Sequence, residues 1–280
     1  MLPAIRTDGG HRLIRLADAL RYARQKGLPS RKLESLASGA PGLVAAAGID
    51  DHTRSALMEA LKQGDASRAR AILFAAHAAS RNAVALADQL VGPVMEQIGR
   101  GWMLGSLDVF HEHQASQLVA SAVTELVERS RVHAGATPTD RPLAIGATPE
   151  GDLYTLALLL GELALRETGW NVRNLGPNLP LSSLGRAVRE YQPQLVFLSV
   201  NHIIDPDRFC RDYLDFHRTA IAHNTAVVIG GRAFGPELRV RLPYHSYGER
   251  LVHLVEFARL MTPSAERDAS RSIPTDTDPN

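Results

Sequence analysis

A chain of 280 residues with 45% hydrophobic content and a mean hydropathy of -0.11 has the apolar material for two compact domains and a flank. Its 31 Lys and Arg against 30 Asp and Glu leave a formal net charge of +1, which excludes a strong overall pull toward nucleic acid. No apolar run reaches the ~18 residues of a membrane span, no signal-peptide pattern opens the chain, and the single Cys210 excludes an internal disulfide. A cytoplasmic protein with no membrane partner is expected.

Residues 1–35 are basic and carry a Gly9-Gly10 turn, followed by a helical pattern from Leu16 to Lys26. Across residues 48–134 Gly and Pro seldom interrupt the chain, and apolar residues recur at helical steps: Leu57 and Leu61, Ala71 and Leu73, Leu86, Leu90, Val94 and Ile98, then Leu118, Val119, Val123 and Leu126. Breaks at Gly64-Asp65, Ser80-Arg81 and Gly101–Ser106 divide this stretch into four helices. Connections this short make antiparallel neighbours, so a four-helix bundle is expected.

Gly135-Ala-Thr-Pro-Thr-Asp-Arg-Pro142 reads as a linker, and the period changes after it. Leu143–Ala147, Asn171–Leu175, Leu195–Val200 and Ala226–Ile229 are short apolar or β-branched runs. Helical segments lie near Tyr154–Glu167, Leu181–Tyr191, Pro206–Ala222 and Glu249–Leu260. That alternation predicts an α/β domain over residues 141–262, a Rossmann-like (flavodoxin-like) parallel sheet covered by helices. The tail, 263–280, is rich in Ser, Thr, Asp and Pro, a composition expected to be disordered.

Open sheets of this class bind ligands at the carboxyl ends of their strands. Thr148–Tyr154, Gly176–Asn178, Ser199–His202 and Gly230–Phe234 each follow a predicted strand and should converge on one site. Gly230-Gly231 would let a ligand approach the backbone closely, although strand-end glycines are also common turn residues. In the bundle, Trp102 ends one helix and Glu112-His113 lies on the next, a spacing that can place indole, carboxylate and imidazole on one surface. The alternative is a core tryptophan beside two solvated polar residues.

Tryptophan ten residues before Glu-His, in a bundle that precedes a Rossmann-like domain, resembles the cobalamin-dependent, light-sensing transcriptional regulators of the CarH/MerR type. The resemblance extends to Pro149-Glu-Gly-Asp-Leu-Tyr154, Ser199-Val-Asn201, Gly230-Gly231 and Tyr247-Gly248, and spans roughly residues 50–262. It implies that Trp102, Glu112 and His113 cap the upper face of a bound corrin. It further implies cofactor contacts from Met103, Thr148, Asp152, Tyr154, Ser199, Asn201, Gly230, Gly231 and Gly248. The opening Leu2-Pro-Ala-Ile-Arg-Thr-Asp-Gly-Gly-His-Arg resembles the wing of a MerR-type winged helix, and no helix-turn-helix precedes it in these 280 residues. DNA contact is therefore expected only through a missing or truncated winged helix.

Two motifs depart from the family. Its lower-face motif is Asp-x-His-x-x-Gly, with a cobalt-binding histidine, whereas this chain reads Asp152-Leu-Tyr154-Thr-Leu-Ala157. A neutral phenol is a poor metal ligand beside imidazole. Met103 stands where the light sensors commonly carry a second histidine. These departures leave open cobalamin bound without a protein axial ligand, another tetrapyrrole such as haem or a bilin, or an empty pocket. The expectation is a non-enzymatic, homo-oligomeric sensor and transcriptional regulator that binds adenosylcobalamin or a related cobalamin. A corrinoid carrier for methyl transfer and a ligand-free interaction module are its rivals, and Tyr154 equally suits a space-filling role.

Overall fold

The computed structural model describes residues 49–133 and 141–262, together with the backbone of a strand pair, β1 (Ala4–Arg6) and β2 (Arg12–Ile14). This pair is antiparallel, with Ile5 opposite Leu13, as a wing hairpin requires. The expected helix at Leu16–Lys26, most of the linker and the tail 263–280 lie outside the described residues.

The bundle has the four helices that its periodicity predicts. Helix α1 (Asp51–Lys62) starts where the Asp50 carboxylate accepts from the Thr53 N–H, and α2 (Ala66–Ser80) where Asp65 accepts from the Arg68 N–H. Helix α3 begins at Ala83–Ala85 on an Asn82 cap, continues through a π-helical turn at Leu86–Val91, and ends as Gly92–Met103. Pro93 explains the turn. Proline has no N–H to offer Gln89 and its ring crowds the preceding turn. The chain responds with a wider turn, in which the Gly92 N–H donates to Ala87, and the Gln89 carbonyl accepts from Arg54 Nη1 at 3.2 Å instead. Helix α4 (Val109–His133) closes the bundle.

In the second half β3 (Leu143–Ala147), α5 (Leu156–Glu167), β4 (Asn171–Asn174), α6 (Leu181–Tyr191), β5 (Leu195–Ser199) and α7 (Pro206–Ala222) alternate as predicted. They are followed by β6 (Ala226–Gly230), α8 (Pro236–Arg241), β7 (Ser246–Gly248) and α9 (Leu251–Met261). The sheet order is β4-β3-β5-β6-β7 with every pairing parallel, which is the flavodoxin-like arrangement. Strand β7 and helix α8 went unread in the sequence because three and six residues are too few to show a period. Helix α5 starts at Leu156 rather than Tyr154, because the Tyr154 N–H is taken by Asp152 in the preceding loop.

The bundle shares a core with α5 and α9: Leu160, Leu163, Ala164, Val252 and Val255 pack in one cluster with Leu57, Leu90 and Val123. Carboxylates fix the register of that joint. Glu162, only 1% exposed, accepts from Arg131 Nη2 of α4 at 2.6 Å and from Arg166 Nε at 2.9 Å. Glu167 accepts from the Ala83 N–H at 2.8 Å and pairs with His77 Nε2 at 2.6 Å. Asp88, in the opposite direction, accepts from the Leu251 and Val252 N–H groups at 2.9 and 3.1 Å. Among the described residues no helix is long and apolar enough to cross a membrane.

On the bundle surface Glu125 accepts from Arg70 Nε at 2.6 Å and from Arg129 Nη2 at 2.8 Å. The hydrogen bonds from Arg70, before all else, hold its carboxyl at about 2 against a usual 4.5. A lowered folded-state value contributes stability above the unfolded value, and that contribution is lost as pH falls through the folded one. Glu125→Gln is therefore expected to lower the thermal midpoint near neutral pH. The gap from the unsubstituted protein should close as pH falls from about 4.5 toward 2. Midpoints recorded across that window check this.

Candidate cofactor cleft

The loop after β3 is built around two side chains with no solvent exposure, Thr148 and Asp152. Thr148 Oγ1 donates to the Asp152 carbonyl at 2.6 Å and accepts from the Asn178 N–H at 3.0 Å, joining this loop to the one after β4. The Asp152 carboxylate accepts from the N–H groups of Tyr154 (3.0 Å), Asn201 (2.5 Å) and His202 (3.3 Å), joining it to the loop after β5. Both residues had been expected to touch a ligand. In the structure their oxygens bond backbone groups of their own and neighbouring loops.

Above this scaffold, a cleft of about 500 Å³ opens between α3 of the bundle and the carboxyl ends of β5 and β6. Val91 and Met95 form one wall, Leu156, Ala157 and Leu160 of α5 another. Ser199 and Asn201 supply polar groups, with Asn201 Nδ2 donating to Ser199 Oγ at 2.9 Å. Gly230, Gly231 and Gly248 complete the floor. Five of the expected contacts thus share one cavity. The glycines answer to the fold as well as to any ligand. Gly231 has φ +101°, and a Cβ there would stand 2.3 Å from the Val200 carbonyl; a Cβ on Gly230 would stand 2.6 Å from that of Gly248. Neighbouring backbone, and not ligand approach alone, demands them.

The remaining expected residues lie outside the cleft lining. Tyr154 is 45% exposed, and the Arg232 guanidinium lies over its ring at 4.6 Å. Trp102 is 49% exposed and Met103 71%, so the reading of Trp102 as core is excluded. Trp102 is two helical turns beyond Met95 on the same face of α3, and Gly99 between them has open space where a Cβ would be. Glu112 accepts from Ser116 Oγ at 3.0 Å and lies 3.7 Å from His113, whose side chain is largely exposed. None of these four lines the cleft wall itself. Sequence reasoning missed Asp88, Met95, Arg232 and Arg250, all cleft-lining. The one usable signal was Pro93, which places an irregular turn beside Asp88.

Cap bundle, flavodoxin-like sheet and a cleft across their joint define a two-part ligand-binding module. A family model described as a B12 binding domain matches residues 53–126, and a second of the same description matches residues 142–251. Both halves of the chain thus match B12-binding-domain models. It is 32% identical over 146 residues to the HTH-type transcriptional repressor CarH of Myxococcus xanthus, covering 52% of this chain and 46% of that protein. It is 26% identical over 138 residues to the trimethylamine corrinoid protein of Methanosarcina barkeri, covering 49% and 63%. The chain thus spans about half the length of the curated relatives it matches, up to 63%. The fold is shared with the monomethylamine corrinoid protein of Methanosarcina barkeri, with a TM-score of 0.61 at 13% identity over 74% of this chain and 96% of that one.

The cleft suits a corrinoid. Such a ligand brings its own ring nitrogens to its metal and asks the protein for apolar walls and a few polar groups. Tyr154, which stands where the resembling family carries a metal-binding histidine, offers a phenol and lies outside the cleft lining.

Because Asp152 serves three backbone donors, Asp152→Ala should cost about 2–3 kcal/mol of stability, more than an ordinary surface change. Urea denaturation measures this, and a loss below about 0.5 kcal/mol would contradict the scaffold role.

Proposed function

We propose that the chain is a cobalamin-dependent sensor acting in transcription regulation, with no catalytic turnover of its own. The observation that carries this reading is the position of the cleft, lined from one side by α3 and from the other by β5, β6 and α5. A ligand there touches both halves, so its arrival or loss biases how bundle and sheet domain pack. Similarity to the CarH repressor and the hairpin of β1 and β2 support the regulatory side. Cobalamin supplies a cobalt–carbon bond that light cleaves when the upper ligand is adenosyl, which makes a light response the specific form of this proposal. Trp102, Glu112 and His113 then cover the upper ligand, Val91 and Met95 exclude water, and Ser199 and Asn201 bond polar edges. DNA contact through a winged helix and assembly into a homo-oligomer complete the reading.

A second reading, a corrinoid carrier for methyl transfer, draws on the similarity to the trimethylamine corrinoid protein. A third, haem in place of cobalamin, draws on Tyr154, because tyrosinate is a known haem ligand. The visible spectrum of protein reconstituted with each cofactor separates them. Cobalamin bound here should show a base-off form, and Tyr154→His with Ala157→Gly should move it toward a histidine-ligated form. An unchanged spectrum would remove Tyr154 from the site. A Soret band lost on Tyr154→Phe would favour haem.

Trp102 gives an independent check. Being half exposed, Trp102→Ala should change the stability of the ligand-free protein by less than about 1 kcal/mol. Cobalamin affinity should nevertheless fall on the order of tenfold, the scale of a lost aromatic contact. Equilibrium titration beside urea denaturation reads both.

A further inference from the structure

We propose that Asp88 is the positioning residue of the cleft, a helix cap supplied by one half of the protein to the other. Helix α9 begins at Leu251 after Arg250, and its own chain provides no Ser, Thr, Asp or Asn at that start. The bundle fills the role. Asp88 Oδ1 accepts from the Leu251 N–H at 2.9 Å and Oδ2 from the Val252 N–H at 3.1 Å, across a separation of 163 residues. Its side chain is 11% exposed, and Arg250 Nε stands 3.8 Å away. A carboxylate at this end also meets the positive pole of the helix.

Asp88 and the groups it holds belong to opposite walls of the same cavity. Asp88, Val91 and Met95 line one side, while Gly248, Arg250 and Leu251 line the other. The carboxylate therefore sets the width of the cleft and the path of the loop between β7 and α9. The π-helical turn before Pro93 contains Asp88, so the irregularity sits where α3 hands a hydrogen-bonding side chain to the other half. His253 Nδ1 accepts locally from the Arg250 N–H at 3.4 Å, but the Leu251 and Val252 N–H groups go to Asp88, and Glu162 and Glu167 fix α5 and not α9.

The role in binding rests on the cobalamin reading; the cap itself does not, and the test separates them. Amide hydrogen exchange is followed in the ligand-free, full-length protein, and cobalamin dissociation in the loaded one. In Asp88→Ala, exchange at Leu251 and Val252 should rise roughly tenfold, the factor expected for a lost N-cap, with α1 and α2 unchanged. Cobalamin should dissociate faster by a similar factor. Asp88→Asn keeps an oxygen acceptor and should recover most of both effects, which a role in pairing with Arg250 would not allow. Unaltered exchange at Leu251 and Val252, or an even rise along the whole chain, overturns the cap. Local exchange with unaltered dissociation overturns the positioning role. If the unsubstituted protein binds no cobalamin, the functional reading falls and the exchange data still judge the cap.

Discussion

Pro93 removes one hydrogen bond from the middle of α3, and the joint between the two halves is organised around that loss. The wider turn it forces leaves the Gln89 carbonyl to Arg54 and carries Asp88 on the face toward α9. A straight α3 would advance by one residue less per turn there, and the side chains on either side of the turn would keep a single stripe. Instead the segment before Pro93 caps a foreign helix, while the segment after it lines the cleft with Met95 and extends outward to Trp102.

Apolar burial holds the halves together, and carboxylates decide how they are aligned. The shared cluster of Leu57, Leu90, Leu160 and Val255 supplies the non-directional part. Glu162, Glu167 and Asp88 each reach across the joint to donors that have fixed positions, two of them to backbone N–H groups. Such bonds add modest net stability but are costly to leave unmade, so they penalise every docking except one. The cleft inherits its shape from that choice. Surface pairs such as Arg218 with Asp215 carry no comparable constraint.

The fold was legible because it is written in period. Three- and four-residue spacing marked the bundle, short β-branched runs marked β3 to β6, and turn residues marked most boundaries. What was not legible depends on partners distant in sequence. Asp152 sits in a recognisable loop motif, yet only the approach of Asn201 and His202 shows that its carboxylate is consumed by backbone donors. Asp88 looks like one more polar residue in a helix until α9 arrives 163 positions later. Residue type alone favoured reading Trp102 as core, and its exposure follows from lying at the open end of α3. Cleft-lining residues on strand-end loops were found by topology; those contributed by the bundle wall were not, because a helix face names its partner only after packing.

Tyr154 gains a structural meaning from the same network. The loop after β3 is tied to the loop after β4 through Thr148, to the loop after β5 through Asp152, and to the turn after β6 through Tyr154 under Arg232. One loop therefore gathers the ends of β4, β5 and β6. The first two ties are buried hydrogen bonds and fix the scaffold. The third is a half-exposed cation–π contact, worth about 0.5–1 kcal/mol at such sites. A contact that weak can be exchanged for a ligand without disturbing the loops beneath it. The phenol thus occupies the rim without the lone pair of an imidazole, and the buried Thr148 and Asp152 keep the rim in place whichever side chain stands there.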